Sequence, residues 1–187
     1  MRTRLFAALL VAGVAGASGA CSSDASSPTQ PSAITVPVQF QASAMHAGDA
    51  HNHRTHLTGA AERPNPNDSQ AQGQAIFQVS ADGSEIQYQV IVANIENVTQ
   101  AHIHCCANSE GTAGIVVWLY PSAPPSQLIS GRFQGTLAEG SITQASLVGS
   151  LAGQSLSVLL GNIASGLAYV NVHTSQFPPG EIRGQIQ

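Results

Sequence analysis

The chain contains no lysine, and charged residues make up only 9% of its 187 residues. Its six basic residues are all arginines, and they are scattered along the sequence instead of forming a stripe. Proteins that bind nucleic acid usually carry a basic patch on one face, so this composition excludes them. The surface must be polar mainly through Gln, Asn, Ser and Thr, which is more typical of secreted β-proteins than of cytosolic enzymes.

Catalytic motifs are missing as well. The sequence has no nucleophile elbow, no phosphate-binding loop and no paired-carboxylate site. We therefore interpret its Ser, Asp and Glu residues as structural and expect no catalytic residue. Glu62 and Arg63 are assigned to a solvated loop. Glu181 and Arg183 are two residues apart and could form an ion pair on one face of a strand, or Arg183 could be buried below the histidines described next.

The N-terminus reads as a targeting segment over residues 1–20. Two arginines precede the apolar run Leu5–Val14, which is too short to span a bilayer. The small residues before Cys21 resemble the lipobox of bacterial lipoproteins, in which that cysteine is lipidated. The match departs from the pattern at Ser18, where a Leu or similar residue is usual, so secretory cleavage near Ala20 is the alternative.

Either form of processing predicts an extracytoplasmic protein. Lipidation of Cys21 would anchor it to a membrane in the periplasm, at the outer membrane or at the cell surface, where a protein partner could meet it. Residues 21–53 are expected to be a flexible tether rich in Ser, Pro and His. The stretch Met45–His56 holds four histidines, and such a tract either binds metal loosely or is a solvated linker.

The next segments alternate short apolar runs with turns. Asp82-Gly83 between two alternating runs predicts a β-hairpin, and the apolar run Ile115–Tyr120 predicts a central buried strand. Leu156, Leu159, Leu160 and Ile163 are spaced as in a short amphipathic helix, which we expect to begin at Gln154 or Ser155 and to end near Gly166. Short strands with one helix predict an all-β, antiparallel sandwich. The expected strands are Ile34–Gln41, Arg54–Ala61, Gly73–Ser80, Glu85–Ala93, Asn97–His104, Ile115–Tyr120, Arg132–Leu137, Leu167–His173 and Glu181–Ile186.

The segment Ala101–Cys106 reads Ala-His-Ile-His-Cys-Cys and concentrates possible metal ligands. Residues i and i+2 of a strand share a face, so the imidazoles of His102 and His104 could converge on one ion. A second strand, from Ala168, ends in His173. These three histidines could bind copper or zinc. Alternatively, they lie at a sheet edge and form hydrogen bonds with backbone groups.

The adjacent cysteines leave several alternatives open. Cys105 faces away from His104 by alternation, and Cys106 returns to the histidine side if the strand continues, so Cys106 is added as a candidate metal ligand. The two thiols could form a vicinal disulfide, bind a soft metal such as Cu(I), or stay reduced. Tyr169 and Asn171 share the face of His173, and Tyr169 could form a hydrogen bond near the site.

Five motifs occur in the order found in a known family. They are Leu57-Thr58-Gly59-Ala60-Ala61-Glu62-Arg63-Pro64, the strand Gly73–Val79, Ala81–Ser84 with the following strand, Asn97–His104, and Ala168–Thr174 with Pro179–Gln185. Together they resemble the CHRD domain, named for its occurrence in chordin, over residues 54–187. The resemblance implies a β-sandwich of immunoglobulin-like type and implies no activity.

The His-x-His strand and the later Val-x-Val-His strand also resemble the copper-ligand layout of Cu/Zn superoxide dismutases. Such an enzyme also needs a bridging histidine and a zinc subsite, and no histidine lies between Cys106 and Val172. Three hypotheses follow: a copper-binding, non-catalytic domain; a metal-free module for protein interaction at the cell surface; and a dismutase-like copper redox enzyme.

Overall fold

The computed structural model describes residues 52–108 and 110–187. The signal segment 1–20, Cys21, the tether up to residue 51 and the expected strand Ile34–Gln41 lie outside the described residues. Seven strands, one α-helix and three 3₁₀ turns follow one another. The strands are β1 Asn52–Thr58, β2 Gln72–Val79, β3 Ile86–Cys105, β4 Gly114–Tyr120, β5 Ile129–Ile142, β6 Tyr169–Thr174 and β7 Ile182–Gln185, and the helix α1 is Leu156–Ala164. The 3₁₀ turns are Gly59–Ala61, Gln144–Ser146 and Gly149–Leu151.

All seven strands belong to one antiparallel sheet that closes in a barrel-like manner. Its order is β2-β1-β7-β6-β3-β4, and β5 pairs with β3 beside this path. Because β2 pairs a second time with β3, five strands form a ring. The predicted all-β, antiparallel architecture with one short helix is confirmed. The immunoglobulin-like form of the sandwich stays a prediction, because the pairing shows a single sheet with barrel-like closure.

The 20-residue strand β3 makes this closure possible because it bends. Asn94 and Asn97 have φ angles of 55° and 54°, and the ladder to β5 shifts register around them. Asparagine tolerates this left-handed conformation better than most residues. The first half of β3 therefore pairs with β2, while its second half, which carries the histidines, pairs with β6 and β4. The two strands expected over Glu85–His104 are thus one bent strand.

The core lies on the inner face of the ring. Ile103 of β3 and Val170 and Val172 of β6 point into it and are fully buried, as the alternation of side chains along a strand requires. Helix α1 packs on the same core through three residues of the predicted apolar stripe. These residues are Leu156, Leu159 and Ile163.

Local signals in the sequence mark most element ends correctly. The hairpin joining β2 and β3 turns at Gly83, where φ is +70°. The N-cap of α1 is Ser155, and Gly166 follows the helix with φ +67°. Within the described residues, no helix is both long and apolar enough to cross a membrane.

The expectation that Ile115–Tyr120 is a central strand is wrong. Among the described strands, β4 forms its ladder with β3 alone. Val116, Val117 and Leu119 of this strand are buried all the same, and the segment that contains the 3₁₀ turn Gly149–Leu151 packs beside it. The amide of Val148 donates to the carbonyl of Val116 there, at 2.9 Å.

Candidate metal centre

The register between β3 and β6 brings three histidines to the outer face of the ring. His102 is opposite Asn171, His104 is opposite Tyr169, and Gln100 is opposite His173. Because side chains alternate along each strand, all three imidazoles lie on the side of the sheet away from the core. The ring nitrogens that face one another lie within 4.8 Å. The predicted convergence of these histidines is therefore present in the structure.

The three rings are buried although they lie outside the ring of strands. The exposed fractions are 0% for His102, 8% for His104 and 7% for His173. His102 Nδ1 is 3.3 Å from His173 Nε2. Two nitrogens bound to one tetrahedral zinc ion at about 2.0–2.1 Å are separated by roughly 3.3 Å as well. This pair is already spaced for a shared ion.

Backbone carbonyls fix the tautomers of two of the histidines. His104 Nδ1 donates to the carbonyl oxygen of Ala113 at 3.0 Å, and His173 Nδ1 donates to that of Pro178 at 2.9 Å. A carbonyl only accepts, so both Nδ1 atoms carry the proton and both Nε2 atoms are unprotonated, each with a lone pair that can accept a hydrogen bond or bind a metal ion. His104 Nε2 is buried without any hydrogen-bond partner. Metal-ligating histidines are oriented in this same way by the hydrogen bond of their other nitrogen.

His102 and His173 are joined by a hydrogen bond. Because His173 Nε2 can only accept, His102 Nδ1 carries a proton and is the donor, which leaves His102 Nε2 buried and without a partner. An ion held by this cluster would have His102 Nδ1, His104 Nε2 and His173 Nε2 as its ligand atoms. The proton of His102 would then sit on Nε2, so all three imidazoles would stay neutral and metal binding would release no net proton.

Burial keeps all three imidazoles neutral. Desolvation, followed by the charges of the other two histidines, lowers the pKa of His102 to about 3. Desolvation also lowers the pKa of His104 to about 4, against the opposing hydrogen bond to Ala113, and it lowers the pKa of His173. Protons therefore do not compete with a metal ion at neutral pH.

Aromatic rings pack around the cluster. The rings of His102 and Trp118 meet edge to face with centroids 4.3 Å apart. The ring of Tyr169 stacks on His104 with centroids 4.9 Å apart and an interplanar angle of 2°. The Arg183 guanidinium carbon lies 3.4 Å from the centroid of Tyr169. The phenol oxygen of Tyr169 accepts the amide of Ala113 at 3.1 Å, so the predicted polar contact of Tyr169 near the site is present.

A family model for the CHRD domain matches residues 53–186. The chain belongs to the CHRD domain family. The match contains both strands of the histidine cluster and confirms the resemblance inferred from the five motifs. No curated protein and no solved structure matches the chain.

The CHRD domain also buries a carboxylate that sequence reasoning assigned to solvent. Glu62 is only 3% exposed, and its Oε2 accepts Asn171 Nδ2 at 3.2 Å. Arg183 is 5% exposed, and the charges of Glu62 and Arg183 influence each other's pKa. The expected solvation of Glu62 is wrong because the 3₁₀ turn before it folds onto the outer face of β6 and β7. Arg63 is exposed, as expected.

The other predicted ion-pair residue has a different partner. Glu181 is buried, and its Oε1 accepts the hydroxyl of Ser69 at 2.6 Å. Arg183 packs on Tyr169 instead, which is the buried alternative for this residue. Gly180 makes room for the network, since a Cβ there would lie 2.8 Å from Glu62 Oε1. The Pro-Pro-Gly turn in the sequence is the only signal that pointed to this close approach.

Stability should depend on pH through Glu62. Burial raises its pKa from 4.5 to about 7, although the hydrogen bond from Asn171 and the charge of Arg183 lower it. Between about pH 4.5 and 7 the folded domain then holds a proton that the unfolded chain releases, so this group's contribution to the free energy of unfolding falls as pH rises. At about 1.4 kcal/mol per unit of pKa shift, the change is on the order of 3 kcal/mol.

The variant Glu62→Gln tests this expectation. It should match the parent near pH 5 and exceed the parent's free energy of unfolding by up to about 3 kcal/mol at pH 8, measured by urea denaturation. Glu96→Gln, at an exposed carboxylate of β3, is the control and should not change the pH dependence. Parallel stability curves for Glu62→Gln and the parent would contradict a near-neutral pKa.

The structure joins Cys105 and Cys106 in a disulfide, which is one of the alternatives left open by the sequence. Cys105 is 2% exposed and belongs to the core, whereas Cys106 is exposed. In this state Cys106 has no thiolate to offer, and the ligand group contains only His102, His104 and His173. Of the four predicted metal residues, the structure brings together the three histidines. His53 and His56 of the histidine tract lie in β1, and the residues before Asn52 are outside the described part.

Proposed function

We propose that this CHRD domain is an extracytoplasmic copper-binding module that uses His102, His104 and His173. The observation that carries the proposal is a buried group of three neutral imidazoles, two of which have their Nε2 lone pairs set by backbone carbonyls. A buried ring nitrogen without a hydrogen-bond partner costs stability, and His104 Nε2 has none among the described residues; an ion bound there would offset this cost.

Copper is favoured over other ions by the donor set. Imidazole nitrogen suits copper, zinc and nickel, and copper binds most tightly to such sites among the divalent first-row metals. Zinc is the second choice, with the same three ligands. A fourth position stays open to water or another ligand in a site with three protein donors.

A binding role is favoured over a redox enzyme. Among the described residues, only one group of three or more His, Cys, Asp or Glu side chains could hold an ion. A bimetal centre of the dismutase type needs a second group. We therefore infer that the domain binds or stores copper outside the cytoplasm instead of acting as a bimetal dismutase.

The proposed location has independent support from the cysteines. Disulfides persist in oxidising compartments, and the Cys105–Cys106 bond fits the periplasm or cell surface. Lipidation of Cys21 would anchor the domain to a membrane through the tether. Labelling of growing cells with a radioactive fatty acid tests this anchor. The parent protein should incorporate the labelled fatty acid, and the Cys21→Ser variant should not.

Metal content is the test of the proposed function. The full chain carrying Cys21→Ser, exported and purified without chelators, should contain copper or zinc near one ion per chain by elemental mass spectrometry. The apo form should take up one equivalent of Cu²⁺ in competition with a chelating indicator. A folded protein that contains no metal and takes up neither Cu²⁺ nor Zn²⁺ would overturn the proposal, and it would favour the metal-free interaction module.

A further inference from the structure

The disulfide begins where the metal-binding strand ends. Cys105 is the last residue of β3 and pairs with Gly114 of β4. It directly follows the candidate ligand His104. Its bond to the exposed Cys106 closes a small ring around the peptide bond at which the chain leaves the sheet. The ring therefore fixes the direction in which the next segment starts.

That next segment supports the histidine cluster. It ends at Ala113, whose carbonyl accepts from His104 Nδ1 and whose amide donates to the phenol oxygen of Tyr169. Its beginning is held by the amide of Ala107, which donates to Leu167 at 2.9 Å. The backbone of Ala113 thus sets the tautomer of His104 and also holds the phenol of Tyr169, whose ring stacks on His104.

We propose that the Cys105–Cys106 disulfide is a thiol–disulfide exchange site whose reduction weakens metal binding at the histidine cluster. Its partner is a dithiol reductant, small or protein-borne, that reaches the exposed sulfur of Cys106. Exposed disulfides generally have higher reduction potentials and supply the labile and regulatory examples, and here the Cys106 half of the bond is exposed. The inference rests on the proposed metal function and adds redox control to it.

The exchange balances as two successive displacements. A thiolate of the reductant attacks Sγ of Cys106, the disulfide bond breaks, and the electron pair goes to Sγ of Cys105, which takes up a proton. The second thiol of the reductant then attacks the mixed disulfide and releases Cys106 as a thiol. The protein gains two electrons and two protons, and the reductant leaves as its own disulfide.

Cys105 pairs with Gly114, the residue after Ala113, so we expect opening of the ring to loosen the end of β3 beside which Ala113 is placed. The hydrogen bond that His104 Nδ1 donates to the carbonyl of Ala113 orients a candidate metal ligand, and loss of such contacts typically lowers metal affinity about 10- to 100-fold. We therefore expect the reduced domain to bind metal at least about tenfold more weakly than the oxidised domain through its histidines.

Zinc is the probe for the test, because it has no redox chemistry and does not reoxidise thiols. The oxidised full chain with Cys21→Ser is compared with the same chain carrying Cys105→Ala and Cys106→Ser, which has neither the ring nor thiolates that bind zinc. Competition with a chelating indicator should give at least about tenfold weaker Zn²⁺ binding for the ring-free variant. Equal affinities would overturn the proposed coupling.

Two measurements on the parent protein keep the test independent of how well the variant folds. Millimolar dithiothreitol should release two thiols per folded chain carrying Cys21→Ser, counted with a thiol reagent. Hydrogen exchange of the Ala113 amide, followed by NMR, should then accelerate. Release of no thiol without denaturant, or unchanged exchange at Ala113 after reduction, would overturn the exchange site. No zinc binding by the oxidised parent would overturn the proposed metal function itself, and the coupling with it.

Discussion

Replacing His104 with alanine should lower the Cu²⁺ affinity of the chain by more than about 100-fold, because it removes a ligand and not merely an outer-shell contact. The hydrogen bond of His104 Nδ1 to the backbone leaves Nε2 unprotonated, and this buried nitrogen has no hydrogen-bond partner of its own. The remaining histidines, His102 and His173, would offer two donors to an ion that prefers at least three. The affinity is measured by competition with a chelating indicator on the full chain carrying Cys21→Ser.

The control is a histidine elsewhere in the same domain. His56 lies in β1 and is exposed, so His56→Ala should leave the affinity unchanged. His173→Gln is a second variant of the cluster, in which the new side chain is similar in size to histidine so that the domain stays folded. It should lose as much Cu²⁺ affinity as His104→Ala, with an unchanged circular dichroism spectrum. Comparable affinities for His56→Ala and His104→Ala would show that the metal binds outside the cluster.

Replacing Gly184 with alanine should destabilise the domain by about 2–4 kcal/mol. Gly184 lies in β7, where the ring of strands closes against β1. A Cβ at this position would collide with the carbonyl oxygen of His56 and the hydroxyl of Thr55. Backbone in a paired strand cannot move away cheaply, so the seam between β1 and β7 has to open. Urea denaturation measures the loss.

A second glycine gives the matched control with the opposite sign. Gly161 lies inside helix α1, and a Cβ there meets nothing within 4 Å. Gly161→Ala should therefore raise the free energy of unfolding by about 0.5–1 kcal/mol, since alanine is the better helix former. Unfolding of Gly184→Ala at the same urea concentration as the parent would contradict the close contact between β1 and β7.

Features that depend on neighbouring residues could be predicted from the sequence. The two-residue period of a strand places His102 and His104 on one face, and the structure bears this out. The hairpin at Gly83 and the helix that starts after Ser155 follow from equally local signals. These signals act within a few residues, so no knowledge of the tertiary fold is needed to interpret them.

Features that depend on distant segments could not be predicted. Glu62 is buried because a loop folds over β6 and β7, and nothing near it in the sequence indicates that cover. The carbonyls of Ala113 and Pro178 that orient the imidazoles come from two separate loops. The apolar run of β4 suggested a central strand, yet its cover comes from a 3₁₀ segment about thirty residues later in the chain.

An anomalous-scattering map of the copper-loaded crystal, recorded on both sides of the copper absorption edge, shows where the metal binds. We expect one strong peak per chain at about 2.0–2.1 Å from His102 Nδ1, His104 Nε2 and His173 Nε2. A copper peak elsewhere, or a crystal soaked in copper that gives no peak between these three nitrogens, would contradict this expectation.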